Sequence, residues 1–274
     1  MDESAFHAFE HAGWERAAEH YADAFGALTA STADALLDAV GVRSRTRLLD
    51  VACGPGFITN AAALRGADVV GLDFSPAMIG EATRRYPTLA FSEGDAERLP
   101  YDDGSFDAVV MNFGLLHLSR PDTAIGEAHR VLRPGGRYAY TIWAGPEHAA
   151  GFGMVLQAIE QHGRMDVPLP EGPPFFRFSD PAESRRTLEA VGFSNVEVRT
   201  LPLTWTLASA DAVFEAVSRG GVRTSAVLRG QTPEALENIR LAVRRSVEQY
   251  ERGGQFELPM PAVLATATSL RART

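Results

Sequence analysis

Short apolar runs alternate with amphipathic segments of helical period through the first half of the chain. The runs predict strands at about 47–51, 68–72, 89–91, 106–112 and 137–143. Helices are predicted ahead of the first strand, at about 14–40, and between strands at 57–64, 76–85 and 123–132. Strands that alternate with helices are typical of a parallel, doubly wound α/β sheet with right-handed crossovers. Ligands of such sheets bind at the carboxyl ends of the strands.

The pattern changes after the fifth predicted strand. Residues 145–178 contain many of the prolines and one predicted helix, at 152–162, which indicates a lid. A helix from about 179 to 191 and a strand at 195–205 then resume the regular order. A helical segment at about 210–249 precedes a last strand near 262–269.

Composition and charge favour an ordinary globular enzyme. Of the 274 residues, 45% are hydrophobic and 22% are charged, close to globular averages. The formal net charge of −9 disfavours broad attraction to nucleic acid or to an anionic membrane. A lone cysteine, Cys53, fits a reducing compartment. Because no long apolar run or signal-peptide pattern is evident, we expect a cytoplasmic location.

A glycine-rich turn between two apolar strands predicts an adenosine-cofactor site. Gly54 and Gly56 follow the first strand, and Asp73 ends the second, as in dinucleotide sites. Two departures count against a dinucleotide. Thr59 stands at the third glycine position, and the carboxylate of Asp50 would repel a pyrophosphate. The same carboxylate suits a cationic ligand with an ammonium and a sulfonium group, such as S-adenosylmethionine.

Five ordered blocks carry a resemblance to a known family, at residues 48–56, 71–79, 93–101, 103–110 and 127–136. They are similar to those of class I S-adenosylmethionine-dependent methyltransferases, in the group related to the ubiquinone/menaquinone C-methyltransferases. One departure is Ala52, where that family most often has glycine. Its methyl group narrows the space beside the methionine part of the cofactor.

The resemblance implies a Rossmann-like, doubly wound, seven-stranded sheet whose last strand is antiparallel. The cofactor-binding core would comprise residues 46–144, 179–205 and 259–274. Helices in residues 1–45 would cover the cofactor, and helical insertions at 145–178 and 206–258 would form the lid and the substrate pocket.

The resemblance also implies roles for individual residues. The methionine end of the cofactor would contact Asp50 and the glycine-rich turn. Asp73 would accept hydrogen bonds from both ribose hydroxyls, and Asp95 would accept one from the exocyclic amine of adenine. We therefore expect cofactor contacts at Tyr21, Asp50, Ala52, Cys53, Gly54, Gly56, Asp73, Phe74, Met78, Gly94, Asp95, Ala96, Asn112 and Phe113. Alternatively, Asp73 only ends a strand, Met78 belongs to the core, and Cys53 is a small packing residue.

Methyl transfer is a direct displacement at a carbon already activated by a positive sulfur, so we expect no metal. His117, past the fourth strand, is the candidate general base, with a role as pocket wall as the alternative. Aromatic residues indicate an apolar or aromatic small substrate, with walls at Trp14, His117, Trp143, Phe176 and Trp205. Arg177 and Arg223 would anchor a substrate carboxylate or, as arginines in a variable segment more often do, face solvent.

The sequence therefore predicts a methyltransferase that moves a methyl group from S-adenosylmethionine to an O, N or C atom of a small molecule. The expected partners are that substrate alone, without nucleic acid or membrane, in a monomer or homodimer. Three alternatives stay open. They are a cofactor-dependent cyclisation or rearrangement without methyl transfer, a nicotinamide oxidoreductase, and a regulatory module that binds macromolecules.

Overall fold

The structure is a computed structural model that describes residues 2–270. Its helices are α1 Glu3–Tyr21, α2 Ala27–Ala30, α3 Ala33–Ala39, α4 Phe57–Leu64, α5 Pro76–Arg85, α6 Pro121–Val131, α7 Ala150–His162, α8 Pro181–Val191, α9 Ala212–Gly220, α10 Arg223–Arg229 and α11 Pro233–Glu248. Its strands are β1 Arg47–Val51, β2 Asp68–Asp73, β3 Ala90–Glu93, β4 Phe106–Asn112, β5 Leu132–Trp143, β6 Phe193–Leu201, β7 Thr204–Leu207, β8 Glu251–Arg252, β9 Gln255–Pro259 and β10 Ala262–Ser269.

Seven strands form one twisted sheet in the order β3-β2-β1-β4-β5-β10-β6. Strands β1 to β5 pair in parallel, and β10 runs antiparallel between β5 and β6. The strand order reverses direction between β1 and β4, the switch point at which open α/β sheets bind ligands. The predicted fold class is confirmed, including the antiparallel last strand.

Local capping signals explain why several predicted boundaries match the structure. Ser75 caps α5, because its hydroxyl accepts a hydrogen bond from the amide of Met78 at 3.2 Å, and Pro76 occupies the first turn. Asp180 caps α8 in the same way. Gly192 ends that helix at φ 108°, a left-handed conformation that glycine adopts without strain.

The second half of the chain differs from the prediction in three places. The strand predicted at 195–205 is wrong: β6 ends at Leu201, and β7 belongs to a separate three-stranded sheet with the order β7-β9-β8. Pro202 lies between the two strands and lacks the amide that would continue the ladder. The helical segment at 210–249 is three helices, interrupted at glycines 220–221 and 230. Strands β8 and β9 were not predicted.

The N-terminal helix begins at Glu3, well before the predicted start, and lies across the carboxyl edge of the sheet. Asp2 caps it by accepting the amide of Ala5 at 3.0 Å. Glu15 fixes it to α5, since its Oε1 accepts the Ser75 hydroxyl at 2.5 Å and the Ala77 amide at 3.1 Å. Helix α1 thus covers the region where the strand order reverses.

None of the helices in residues 2–270 is both long and apolar enough to cross a bilayer.

Candidate functional site

A cavity of about 870 Å³ lies at the carboxyl ends of β1, β2 and β4, beneath α1. It brings together most of the residues predicted to bind the cofactor or substrate. Those lining it are Trp14, Tyr21, Asp50, Ala52, Cys53, Gly54, Asp73, Phe74, Met78, Gly94, Asp95, Ala96, Asn112, Phe113 and His117. We call it the donor cavity.

Two glycines of the turn after β1 serve different purposes. Gly54 has φ 51° and lines the donor cavity. Apart from its two chain neighbours, none of residues 2–270 has an atom within 4 Å of a Cβ added to Gly54. The space in front of Gly54 is therefore free for a ligand. Gly56 has φ 82°, precedes α4 and does not line the cavity; its Cβ would collide with Phe91 at 2.8 Å. Gly56 therefore meets a packing requirement, and the cofactor contact expected there stays a prediction.

Asp73 is held by backbone amides on both sides of the turn. Gly54 donates to its Oδ2 at 2.8 Å, and Ser75 donates to its Oδ1 at 3.0 Å. Burial raises the pKa of Asp73 to about 6, against the opposing effect of these hydrogen bonds. The carboxylate is fixed in direction, and each oxygen keeps a lone pair for a further donor in the cavity.

Asp50 is fully buried at the end of β1, and its two oxygens differ. The Thr59 hydroxyl donates to Oδ2 at 2.6 Å, whereas Oδ1 accepts no hydrogen bond from the described residues. Burial raises the pKa of Asp50 to about 7, and the charge of Asp73 adds to this effect. A buried carboxyl oxygen without a partner is costly in a protein alone. It fits a site that is completed by a cationic ligand.

Thr59 explains why the third glycine of a dinucleotide turn is absent. Its hydroxyl is the group that orients Asp50, and glycine would leave the carboxylate unsupported. The room for Thr59 comes from Gly71 on β2, where a Cβ would lie 2.8 Å from the threonine hydroxyl oxygen. Asp50, Thr59 and Gly71 thus form one linked arrangement.

Ala52 occupies a left-handed conformation that suits glycine. Its φ is 54°, and its methyl group faces Gly114, where an added Cβ would approach the Ala52 Cβ to 2.6 Å. Left-handed backbone costs about 1–2 kcal/mol for a residue with a Cβ. Gly114 therefore accommodates the methyl group, while the backbone strain remains.

Replacing Ala52 by glycine is expected to raise the free energy of unfolding by about 1 kcal/mol, because it removes that strain. Urea unfolding followed by circular dichroism measures the change. Ala63→Gly within α4 is the matched control and should lower stability by about 1 kcal/mol, since glycine is unfavourable inside a helix. Equal losses in both variants would contradict strain at position 52.

Another part of the donor cavity is lined by the end of β2, the turns that follow β2 and β3, and the start of α5. Phe74 and the buried Met78 lie there, together with Gly94, Asp95 and Ala96. The Oδ1 of Asp95 accepts the Glu97 amide at 2.8 Å. The rings of His7 and His11 contact the Phe74 ring edge-on, with centroids 5.6 and 5.3 Å from that of Phe74. His7 also lines the cavity and was not predicted, because its helix was not expected to extend so far.

Asn112 ties the N-terminal segment to the sheet. Its Oδ1 accepts hydrogen bonds from Thr32 at 2.8 Å and Thr141 at 2.5 Å, and its Nδ2 donates to the carbonyl of Thr29 at 3.1 Å. The amide lines the donor cavity, but its hydrogen bonds are made within the protein. Phe113 follows at φ 54° and stacks on Trp143 with ring centroids 4.0 Å apart.

Tyr21 and Cys53 are uncharged walls of the cavity. The Tyr21 hydroxyl donates to Thr29 at 3.3 Å, and burial raises the pKa of Tyr21 to about 12. Burial, with the nearby carboxylates, also raises the pKa of the Cys53 thiol. Cys53 is therefore a protonated packing group, and nothing in its surroundings activates it as a nucleophile.

A second cavity of about 510 Å³ adjoins the first and is mostly aromatic. It shares Trp14, Tyr21, Phe113 and His117 with the donor cavity. The remaining walls are Phe25, Trp143, Phe152, Phe175, Val217, Gly220, Gly221, Val222, Arg223 and Thr224. We call it the aromatic cavity. His117 and the other shared residues lie where the two cavities meet.

Two predicted wall residues line neither cavity. Trp205 is buried behind Phe25, with stacked rings 5.1 Å apart, because β7 leaves the main sheet. Phe176 packs edge-on against Phe175, with ring centroids 4.9 Å apart, and does not line the aromatic cavity. These side chains support walls made by Phe25 and Phe175.

A buried charge network surrounds His117. Its Nδ1 lies 3.0 Å from Oε2 of Glu10, a residue of α1 without solvent exposure. The Nε of Arg223 donates to the other oxygen of Glu10 at 2.8 Å. The Trp14 ring contacts the His117 ring edge-on at 4.7 Å. Sequence analysis missed Glu10, because nothing local distinguishes it from other acidic residues of a helix.

Both arginines considered as carboxylate anchors make hydrogen bonds or ion pairs within the protein. Arg223 is mostly buried, and besides Glu10 it donates to the carbonyls of Pro173 at 2.7 Å and Leu116 at 2.8 Å. The expectation that it faces solvent is wrong. Arg177 is paired with Asp122 and Glu183 outside both cavities.

Within residues 2–270, no three or more His, Cys, Asp or Glu side chains come together in a way that would hold a metal ion.

Comparison with known proteins identifies the family of the central region. The profile of the family described as methyltransferase domain matches residues 49–140, about a third of the chain. A demethylmenaquinone methyltransferase of Beutenbergia cavernae is 47% identical over 128 residues, which are 46% of this chain and 53% of that protein. The chain spans about half the length of the curated relatives it matches.

Solved structures agree on the fold. Phosphoethanolamine N-methyltransferase 2 of Haemonchus contortus, in complex with S-adenosyl-L-methionine, superposes with a TM-score of 0.58 at 18% identity, over 94% of this chain and 57% of that one. The [4+2]-cyclase SpnF superposes with a TM-score of 0.54 at 21% identity, over 89% and 82%. Residues 49–140 therefore match a methyltransferase domain, and the chain shares the fold of solved methyltransferases.

Proposed function

We propose that the protein transfers a methyl group from S-adenosylmethionine to a small aromatic acceptor. The observation that carries the proposal is Asp50, a fully buried carboxylate whose Oδ1 has no partner among the described residues and which lines the donor cavity. A cationic cofactor would supply the missing partner. A nicotinamide dinucleotide would place a pyrophosphate there instead, and the two negative charges would repel.

The residues of the donor cavity fit this cofactor in each of its parts. Asp73 has fixed lone pairs for two ribose hydroxyls. The open space at Gly54 leaves room for the methionine portion, and Phe74 and Met78 provide apolar surface for adenine. When bound, S-adenosylmethionine supplies a methyl carbon made electrophilic by its sulfonium. The protein has to align that carbon with the acceptor and exclude water, which requires no metal.

The aromatic cavity is the proposed acceptor site. Its walls of Phe25, Trp143, Phe152 and Phe175 favour a flat apolar ring. Relatives named demethylmenaquinone methyltransferase point to the same class of acceptor, a quinone-type aromatic ring. The family profile ends at residue 140, before most of these walls, so the exact acceptor is set by residues outside the matched domain.

We infer a separate role for each part of the chain, which the linings of the two cavities support. Residues 1–45 would cover the cofactor, the core strands would hold it, and the insertions at 145–178 and 206–258 would shape the acceptor site. All of these groups come from one chain, so a monomer or homodimer would carry a complete site. A small molecule is the expected partner, and the free Cys53 suits a reducing compartment such as the cytoplasm.

Titration calorimetry and product analysis test the proposal together. We expect S-adenosylmethionine and S-adenosylhomocysteine to bind at one site per chain, and NADH not to bind. Incubation with hydroxylated naphthalenes and benzenes should produce S-adenosylhomocysteine in step with a methylated product. Product formation without S-adenosylhomocysteine would instead favour a cyclisation or rearrangement, and NADH binding an oxidoreductase.

His117→Ala should lower kcat by about 10²-fold or more, with little change in affinity for S-adenosylmethionine, if His117 is the base. The reason is its place at the junction of the two cavities. Steady-state kinetics and calorimetry give the two numbers. His148→Ala, in an exposed turn, is the control and should leave both unchanged. Equal kcat in wild type and His117→Ala would leave His117 a wall residue.

A further inference from the structure

Glu10 divides its carboxylate between two partners in the protein interior. Oε1 accepts from Arg223, and Oε2 lies 3.0 Å from Nδ1 of His117. A buried carboxylate needs a compensating charge, and Arg223 alone provides it. The contact with His117 is therefore additional to what the burial of Glu10 requires.

Arg223 also fixes the direction in which Glu10 points. Its three guanidinium nitrogens donate to Glu10, to the carbonyl of Pro173 and to the carbonyl of Leu116. Leu116 is the residue before His117, so one arginine holds both the carboxylate and the backbone beside the imidazole. The Trp14 and Phe175 rings contact the imidazole edge-on at 4.7 and 5.7 Å and restrict its rotation.

We propose that Glu10 is a positioning residue that keeps the proton of neutral His117 on Nδ1, so that Nε2 takes a proton from a hydroxyl of the acceptor. This inference rests on the proposed function and extends it to the acceptor class, a hydroxylated aromatic ring. A carboxylate accepts hydrogen bonds only, so it selects the tautomer in which Nδ1 donates. Nε2 is then the nitrogen left for a ligand at the cavity junction.

The step balances in atoms and charge. The O–H bond of the acceptor breaks, and its proton moves to Nε2 of His117. The O–C bond forms as the C–S bond breaks, and that electron pair goes to sulfur, which becomes a neutral thioether. The positive charge lost by sulfur appears on the imidazolium, next to the carboxylate of Glu10. Glu10 thus stabilises the charged histidine that the transfer creates.

Nitrogen-15 NMR of the histidine ring measures the tautomer directly, with the His117 signals assigned by their loss in His117→Ala. In the wild-type protein we expect Nδ1 of His117 to carry the proton and Nε2 to be unprotonated. In Glu10→Gln the amide oxygen should turn to Arg223 and the amide nitrogen to Nδ1, which reverses the tautomer. A wild-type His117 protonated on Nε2 would overturn the proposal, whatever the activity and whether or not the variant folds.

Kinetics with two acceptors separate positioning from structural support. With a hydroxyl acceptor that is un-ionised at the assay pH, Glu10→Gln should lower kcat by about 10²-fold or more. With an acceptor already ionised at that pH, kcat should change by less than about threefold, because no proton has to be taken up. Equal losses with both acceptors would overturn the proposal and indicate that Glu10 only supports the fold.

Glu15→Gln is the matched control, because Glu15 also fixes α1 but contacts α5 rather than His117. This variant should leave the His117 tautomer unchanged and should change kcat by the same factor with both acceptors. Absence of S-adenosylmethionine binding, or of S-adenosylhomocysteine with every acceptor, would refute the proposed function. The NMR result would still decide the role of Glu10 on its own.

Discussion

Replacing Asp73 by alanine is expected to weaken S-adenosylmethionine binding by about 2–4 kcal/mol, or about 30-fold or more. The variant loses a carboxylate that backbone amides of Gly54 and Ser75 hold in a fixed direction at the end of β2. The variant would also lose the two hydrogen bonds that the ribose hydroxyls donate to this charged acceptor. Calorimetry on the purified variant gives the affinity.

Asp68 provides the matched control, since it begins the same strand at its exposed end. Asp68→Ala should bind the cofactor as wild type does. S-adenosylhomocysteine should lose as much affinity as S-adenosylmethionine in Asp73→Ala, because both carry the same ribose. Unchanged affinity for both ligands would remove Asp73 from the site.

Asp50→Asn is expected to weaken the binding of S-adenosylmethionine more than that of S-adenosylhomocysteine. Without the carboxylate charge, S-adenosylmethionine should lose about 2 kcal/mol of binding free energy, whereas neutral S-adenosylhomocysteine should lose much less. Asparagine retains an oxygen that can accept the Thr59 hydroxyl, so the local geometry is kept. Parallel titrations with both ligands measure the difference. Equal losses would mean that Asp50 does not face the sulfonium.

The same variant should change how binding depends on pH. Asp50 has a pKa of about 7 in the ligand-free protein and Asp73 about 6. The ionised forms bind the ligand better, because ionised Asp50 attracts a cation and ionised Asp73 accepts hydrogen bonds from two hydroxyls. Binding therefore releases protons, and affinity for S-adenosylmethionine falls as pH drops through 7 and then 6. In Asp50→Asn the dependence near pH 7 should disappear and the one near pH 6 should remain.

The donor half of the site was predictable because its signals are local. Gly54, Asp73 and their strands lie within about twenty-five residues, and capping by Ser75 marks the following helix. The structure explains the departures as well: Thr59 is retained to orient Asp50, and Gly71 gives it room. Because these residues are close in sequence, local patterns were enough to predict this half of the site.

The acceptor half depends on contacts that are distant in sequence. Glu10 meets His117 across 107 positions and Arg223 across 213. Neither carries a local mark of that pairing, so Arg223 was expected in solvent and Glu10 was not considered. Trp205 was misplaced for a related reason, since whether β7 stays in the main sheet depends on its pairing with β9. Tertiary pairing decides these positions.

Helix α1 is a wall shared by the two cavities. Trp14 and Tyr21 line both of them, while Glu15 fastens the same helix beside the start of α5. A substitution that displaces α1 would therefore expose the donor cavity and the aromatic cavity together. Damage at the Glu15 contact should accordingly weaken the binding of the cofactor and of the acceptor alike.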